Sequence, residues 1–229
     1  MINILNDIET LFFPPVCPGC DSILLKNEKT VCVVCRHQLP LTNYHAVQGN
    51  PVEKIFYGRV EIVHATAFLA FQKKGLAQRL IHQLKYKGNQ AIGGFIGEWM
   101  GSVLMNNFHY QTVDVVVPVP LHPKKLRKRG YNQVSAFGKK IAGALNASYN
   151  DDALIRVSHS KTQTFKNRIA RWNNASFIFD VEHPGSLKGK HILLIDDVIT
   201  TGATLEACAI TLQKIENVQI SIATMAITI

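Results

Sequence analysis

The run HILLI, His191 to Ile195, is followed without a break by DDVITTGAT and then by LEACAITLQKI. A short apolar run of this kind reads as a strand buried on both faces. The residues over 203–215 carry helical periodicity, and a glycine with threonines stands at the mouth of that helix. Further apolar runs rich in Val, Ile and Ala lie at 60–71, 113–119 and 218–228, with helical periodicity at 76–86, 90–106 and 133–147. Strands alternating with helices predict an α/β fold, a parallel sheet flanked by helices on both faces.

Cysteine placement adds a second part. Cys17, Cys20, Cys32 and Cys35 lie in CPGCDSILLKNEKTVCVVC as two CxxC knuckles, while Cys208 stands alone. Each knuckle turns two thiolates toward one point, and two knuckles make the tetrahedral sulfur cage that Zn2+ prefers. Two disulfides are the competing use, one that belongs to secreted chains. Four thiolates leave no open position, so the zinc is structural. Cys208 reads as a small buried hydrophobe. Ahead of the knuckles, Ile2, Leu5, Ile8, Leu11 and Phe12 form a helical stripe that Pro14 and Pro15 end. The expected organisation is a helix and zinc-ribbon module over 1–45 and an α/β domain over 52–229, joined through LTNYHAVQGNPVEKIFYG, whose mixed polarity reads as a connection.

Hydrophobic residues are 47% of the chain and charged residues 18%, the balance of a globular protein. No apolar run approaches the roughly 18 residues of a membrane span. The segment MINILNDIET holds two acids and no basic residue, unlike a secretory signal, so the expected location is cytoplasmic. The net charge of +9 points to polyanionic partners, such as nucleic acid, nucleotides or phosphorylated sugars.

Ligands of parallel sheets sit at the carboxyl ends of the strands. Beyond HILLI, backbone N–H groups at the helix start make an anion site, Gly202 lets the backbone approach closely, and Thr200, Thr201 and Thr204 add donors. Asp196 and Asp197, unsuited to phosphate, suit the vicinal hydroxyls of a ribose or a bound Mg2+. Cup and carboxylates together read as a receptor for ribose 5-phosphate.

ILLIDDVITTGAT, Ile192 to Thr204, resembles the phosphoribosyl pyrophosphate (PRPP) motif of the type I phosphoribosyltransferases position for position. DVVVPVPLHPKKLRKRGYNQ, LKYKG at Leu84 to Gly88 and the four-cysteine module extend the resemblance to the ComF family of competence proteins. The resemblance implies a phosphoribosyltransferase-like fold, PRPP binding through Asp196, Asp197, Thr200, Thr201, Gly202, Ala203 and Thr204, and Asp196 and Asp197 as catalytic candidates. It assigns the pyrophosphate to the turn of Pro118, Val119, Pro120, Leu121 and His122, where a strained backbone would fit an anion, and Mg2+ to the PRPP. It also implies a mobile loop in RVSHSKTQTFKNRIARWNN, with Arg156, Lys161, Thr162, Gln163, Arg168, Arg171 and Asn174. The chemistry implied is displacement at the anomeric carbon of PRPP, with no segment naming the acceptor.

A second class of function rests on KKLRKR, five cations in six residues, followed by RGYNQ. Cations meet backbone phosphates and tyrosines stack on bases, so Lys124, Lys125, Arg127, Lys128, Arg129 and Tyr131 form a candidate surface for single-stranded DNA. Lys85, Tyr86 and Lys87 repeat the mixture. What the ComF family implies is DNA uptake in natural transformation, with uptake-machinery partners. In this alternative the PRPP site is a ligand or regulatory site on a non-catalytic DNA-handling protein. A sensor of PRPP is a third reading.

Overall fold

The computed structural model describes residues 12–157 and 179–229. One sheet is built from β1 Ala65–Phe71, β2 Val115–Pro118, β3 Ser148–Tyr149, β6 His191–Ile199 and β7 Gln219–Thr228. Its order is β1-β7-β6-β2-β3 and every pairing is parallel. β4 Leu154–Arg156 and β5 Phe179–Val181 pair antiparallel in a separate ribbon. The α-helices are α1 Val33–His37, α2 Pro51–Phe56, α3 Leu76–Tyr86, α4 Ala91–Leu104, α5 Pro123–Arg129, α6 Ser135–Leu145 and α7 Ala203–Leu212.

Period-two alternation makes the central strand bury on both sides. Ile192 and Leu194 enter one core with Val52 and Phe56 of α2 and Leu205, Cys208 and Leu212 of α7. Leu193 and Ile195 enter the other with Leu80 and Leu84 of α3, Ile96 of α4 and Phe137 and Ile141 of α6. The expected α/β architecture, with helices on both faces of a parallel sheet, is the observed one. α4 and α6 approach closely because glycines line the seam: a Cβ on Gly97 would stand 2.5 Å from the Phe137 carbonyl oxygen, and one on Gly101 2.8 Å from Ala144 Cβ.

The cysteine module is continuous with the larger of these cores. Cys17, Leu24, Val31, Cys32, Cys35 and Leu39 are buried together with Phe68, Leu69, Ala77 and Leu80. Arg79 of α3 donates to the Gly19 carbonyl at 2.6 Å. Beyond the module the chain runs along β1, where Ala70 N donates to Pro40 O at 2.8 Å and Thr42 N to Phe68 O at 3.1 Å. Among the described residues no helix is long and apolar enough to cross a membrane.

Four expectations are corrected. The segment over 41–58 is not a mere connection: Asn50 Oδ1 caps α2 by accepting from Val52 N at 2.9 Å, Pro51 fills the first turn, and Val52 and Phe56, four residues apart, are fully buried. β6 does not end at Ile195. The long β7 keeps offering partners, so pairing continues through Asp196 with Thr224 to Ile199 with Ile227. The basic run is a helix and not a loop, because His122 Nδ1 accepts from Lys124 N at 3.2 Å, Pro123 starts the turn and Gly130, at φ 77°, ends it. The strand expected over 60–71 begins only at Ala65. The helical stripe before Phe12 lies outside the described residues, and β3, β4 and β5 are too short to show a period.

Candidate functional site

β6, the turn over Thr200–Gly202 and α7 form the expected strand, turn and helix. Gly202 sits at φ 76°, in the left-handed region, and as the N-cap residue of α7 makes no side-chain cap bond. Ala203 N donates to Thr201 Oγ1 at a long 3.5 Å, and the first turn otherwise has no side-chain cap, with the helix dipole behind it. Thr200, Thr201, Ala203 and Thr204 are exposed around this mouth, and Gly202 is buried. A side chain at Gly202 would overlap Ile55 Cγ2, because α2 packs directly on the turn. Arg59, just beyond α2, donates to Thr201 O at 3.2 Å and pairs with Glu206 of α7 at 3.4 Å. Ile55 and Arg59 thus hold the cup from outside, and neither stood out in the sequence because their partners are more than 140 positions away.

The two carboxylates do not act as one pincer. Consecutive residues of a strand point to opposite faces. Asp197 is buried on the α3 side, with Oδ1 2.7 Å from Lys85 Nζ and Oδ2 accepting from the Gln133 side-chain amide. Arg129 in turn donates to Gln133 Oε1 at 2.7 Å. Asp196 faces the α7 side, where its charge helps push the Cys208 thiol up. It is half-buried, and burial, followed by the neighbouring Asp197 charge, raises its carboxyl to about 7, with Lys85 and Lys125 among the opposing influences.

Pro118, Val119, Pro120, Leu121 and His122 leave the sheet beside the carboxylates. Pro118 pairs with Ile195, and Val119 N donates to Ile195 O at 2.9 Å. No residue of this turn has a positive φ, so the expected strain is not there. His122 serves as the cap of α5. The residues of RGYNQ then tie the neighbourhood together. Tyr131 Oη donates to the Leu84 carbonyl, Asn132 Nδ2 to Val119 O at 3.2 Å, and Gln133 to Asp197. Gln133 was legible only as one letter of a motif; its long-range partner shows what it holds.

Between α3 and α5 opens a cleft of about 270 Å³ lined by Lys85, Tyr86, Lys125, Lys128, Arg129 and Tyr131. Tyr86 is 63% exposed, and the Arg129 guanidinium lies 5.4 Å from its ring centroid. Helical spacing divides the expected basic surface: Lys125, Lys128 and Arg129 face the cleft, while Lys124 and Arg127 are exposed elsewhere on α5. The helix gathers some of the run and turns the rest away.

Cys17, Cys20, Cys32 and Cys35 converge, with their sulfurs all within 4.8 Å of one another. Tetrahedral Zn–S bonds of about 2.3 Å would set sulfurs roughly 3.8 Å apart, and Cys20 Sγ lies 3.6 Å from Cys32 Sγ. Gly19 N and Cys32 N donate to Cys17 Sγ at 3.4 Å, as amides do toward a thiolate. A Cβ at Gly19 would come within 2.8 Å of Cys35 Sγ, so the knuckle takes no larger residue there. The group can hold a metal ion. None of the five cysteines is in a disulfide, and Cys208 is buried on α7 as expected. Lys161, Thr162, Gln163, Arg168, Arg171 and Asn174 lie outside the described residues, while Arg156 sits on β4 over Phe179, 5.3 Å from its ring.

A family model described as the phosphoribosyl transferase domain matches residues 85–227, more than half of the chain. The chain belongs to the phosphoribosyl transferase domain family. Its curated relatives include proteins named competence protein F and ComFC, in line with the resemblance read from the sequence. DNA utilization protein YhgH of Escherichia coli K12 is 27% identical over 202 residues, covering 85% of this chain and 82% of that protein. Competence protein ComFC of Bacillus subtilis is 27% identical over 227 residues, covering 85% and 87%. Among solved structures, a glutamine PRPP amidotransferase from B. subtilis is similar at 17% identity and TM-score 0.42, over 62% of this chain and 30% of that one, so the chain spans about a third of that enzyme. An adenine phosphoribosyltransferase is similar at 14% identity and TM-score 0.40, over 66% and 74%.

Proposed function

We propose that this phosphoribosyl transferase domain protein binds PRPP at the carboxyl edge of its sheet. The observation that carries the reading is the α7 N-terminus at Gly202, braced by α2 and capped only by a long Thr201 contact, with the half-buried carboxylate of Asp196 upstream on β6. The 5-phosphate would take the amides and hydroxyls over Thr200–Thr204. Asp196 would accept from a ribose hydroxyl, and Asp197, already held by Lys85 and Gln133, would set the local field. The pyrophosphate would lie along Pro118–His122 toward Lys85 and Lys125. Because Asp196 and Asp197 face apart, this chain offers Mg2+ one carboxylate at a time, a fit for an ion carried on the ligand's own phosphates. There it would supply charge neutralisation of a departing pyrophosphate.

Transfer of the phosphoribosyl group to an acceptor is the activity such a site would serve, with Asp196 and Asp197 stabilising the cationic sugar. The same reading places Zn2+ in the Cys17, Cys20, Cys32, Cys35 cage as a structural ion. It takes residues 1–45 as a zinc module, 52–229 as the ligand-binding part, and the cytoplasm as the place of action. Calorimetric titration of PRPP with Mg2+ tests the site. The expected result is one-site binding, weakened at least about tenfold in Asp196→Asn, the order of a lost charge-assisted hydrogen bond. No binding to the intact protein would overturn it.

A second reading is favoured by the cleft, whose cations and exposed Tyr86 match a single nucleic-acid strand. The names of the relatives, DNA utilization protein and competence protein, support a role in DNA uptake with machinery partners.

A further inference from the structure

Three of the cations that face the cleft, Lys85, Lys125 and Arg129, also act on the carboxylates. Lys85 lines the cleft and lies 2.7 Å from Asp197 Oδ1. Arg129 lines it too, and is joined to Asp197 Oδ2 through Gln133. Lys125, on the facing wall, is close enough to Asp196 to act on its charge. The cleft therefore opens toward the end of β6, and a ligand extending from the strand end enters it from the inside.

A single strand of nucleic acid would enter from solvent, past Tyr86 and Lys128. Both ligands would then draw on Lys85, Lys125 and Arg129. Space and charge oppose sharing, since like charges brought close in a poorly screened cleft repel, and cations already paired with one ligand cannot neutralise a second.

We infer that this cleft is one anion site occupied in turn by the backbone of a single-stranded nucleic acid and by the diphosphate of a sugar bound at the β6 end, so that each ligand displaces the other. The inference rests on the reading above and adds its regulation: the sugar diphosphate releases the strand, and by reciprocity the strand weakens sugar diphosphate binding by the same factor. Ribose 5-phosphate, which fills the cup but carries nothing into the cleft, leaves the strand in place.

The test is fluorescence anisotropy of a labelled oligothymidylate on the full chain, titrated with PRPP and Mg2+ at fixed ionic strength, beside calorimetry of PRPP alone. The strand's apparent Kd is expected to rise at least about tenfold at saturating PRPP, well within the usual range of coupling. Ribose 5-phosphate at equal concentration is expected to shift it less than about twofold, well below the usual range of coupling. Lys125→Ala should weaken both ligands and Lys128→Ala the strand alone, both being at exposed positions, whereas Lys214→Ala, beyond the far end of α7, should weaken neither. A strand affinity unchanged while calorimetry shows the sugar site full overturns the inference and leaves PRPP binding standing, as does absence of strand binding. Absence of PRPP binding is the separate failure of the underlying reading, and removes the inference with it.

Discussion

At the scale of the residue, Asp196 shows how one strand position carries a carboxyl group at a cost in stability. Its folded carboxyl titrates near 7, well above the ordinary value of 3.8, chiefly because it is buried. Below about pH 4 it is protonated in folded and unfolded chains alike and costs nothing. Between about pH 4 and 7 the unfolded chain gives up this proton while the folded chain keeps it, so the contribution becomes steadily more destabilising with pH and levels off above about 7. Asp196→Asn is therefore expected to be more stable than the parent at pH 8, on the order of 2 kcal/mol, with the gap closing near pH 4. Urea unfolding of both proteins across that range measures it; an equal gap at both ends would show that Asp196 does not titrate as described. Gly202 is constrained twice, by its left-handed φ and by Ile55 against it, yet sequence alone shows only that a glycine stands in a turn.

At the scale of the element, α2 is what gives the turn at Gly202, the proposed phosphate cup, its shape. It is six residues long, too short to be stable by itself, and its place comes from the Asn50 cap and the burial of Val52 and Phe56. Its Glu53 is also buried, accepting from Gly49 N at 2.5 Å and lying 3.3 Å from His64 Nε2, whose ring is held below its usual pKa by burial. Phe56→Ala should cost about 3–5 kcal/mol for the ring and the cavity it leaves. Because Ile55 and Arg59 flank it, the variant should also lose PRPP affinity at temperatures where it is fully folded. Full affinity in a destabilised Phe56→Ala protein would separate α2 from the cup. α5 teaches a related lesson: the cations of KKLRKR were legible, but winding them into a helix sends Arg127 and Lys124 away from the cleft that Lys125, Lys128 and Arg129 line.

At the scale of the whole molecule, the cysteine cage and the sheet share one core, through Val31, Cys32 and Leu39 against Phe68, Leu69 and Leu80. Removing a structural metal should therefore loosen more than the first forty residues. With zinc bound as proposed, a strong chelator or Cys32→Ser is expected to lower the main thermal transition of the full chain and to release one zinc per chain, since such sites take folding energy from the metal. A transition unmoved by complete loss of zinc would show that the core stands without the cage.

Local signals in the sequence were enough for the long buried strands, the helix over 76–86, the helix that begins at 203 and ends at Leu212 rather than 215, the paired cysteine knuckles, and the glycine and threonines at the mouth of α7. Each is encoded by period, propensity or spacing within a few residues. Tertiary structure alone decided that the strand runs on through the two aspartates and turns them to opposite faces, because that depended on the length of β7. It also decided that 41–58 is core and not connection, and that Lys85, Gln133 and Arg129 meet at Asp197. Those outcomes follow from contacts between residues tens to more than a hundred positions apart, which no local pattern records.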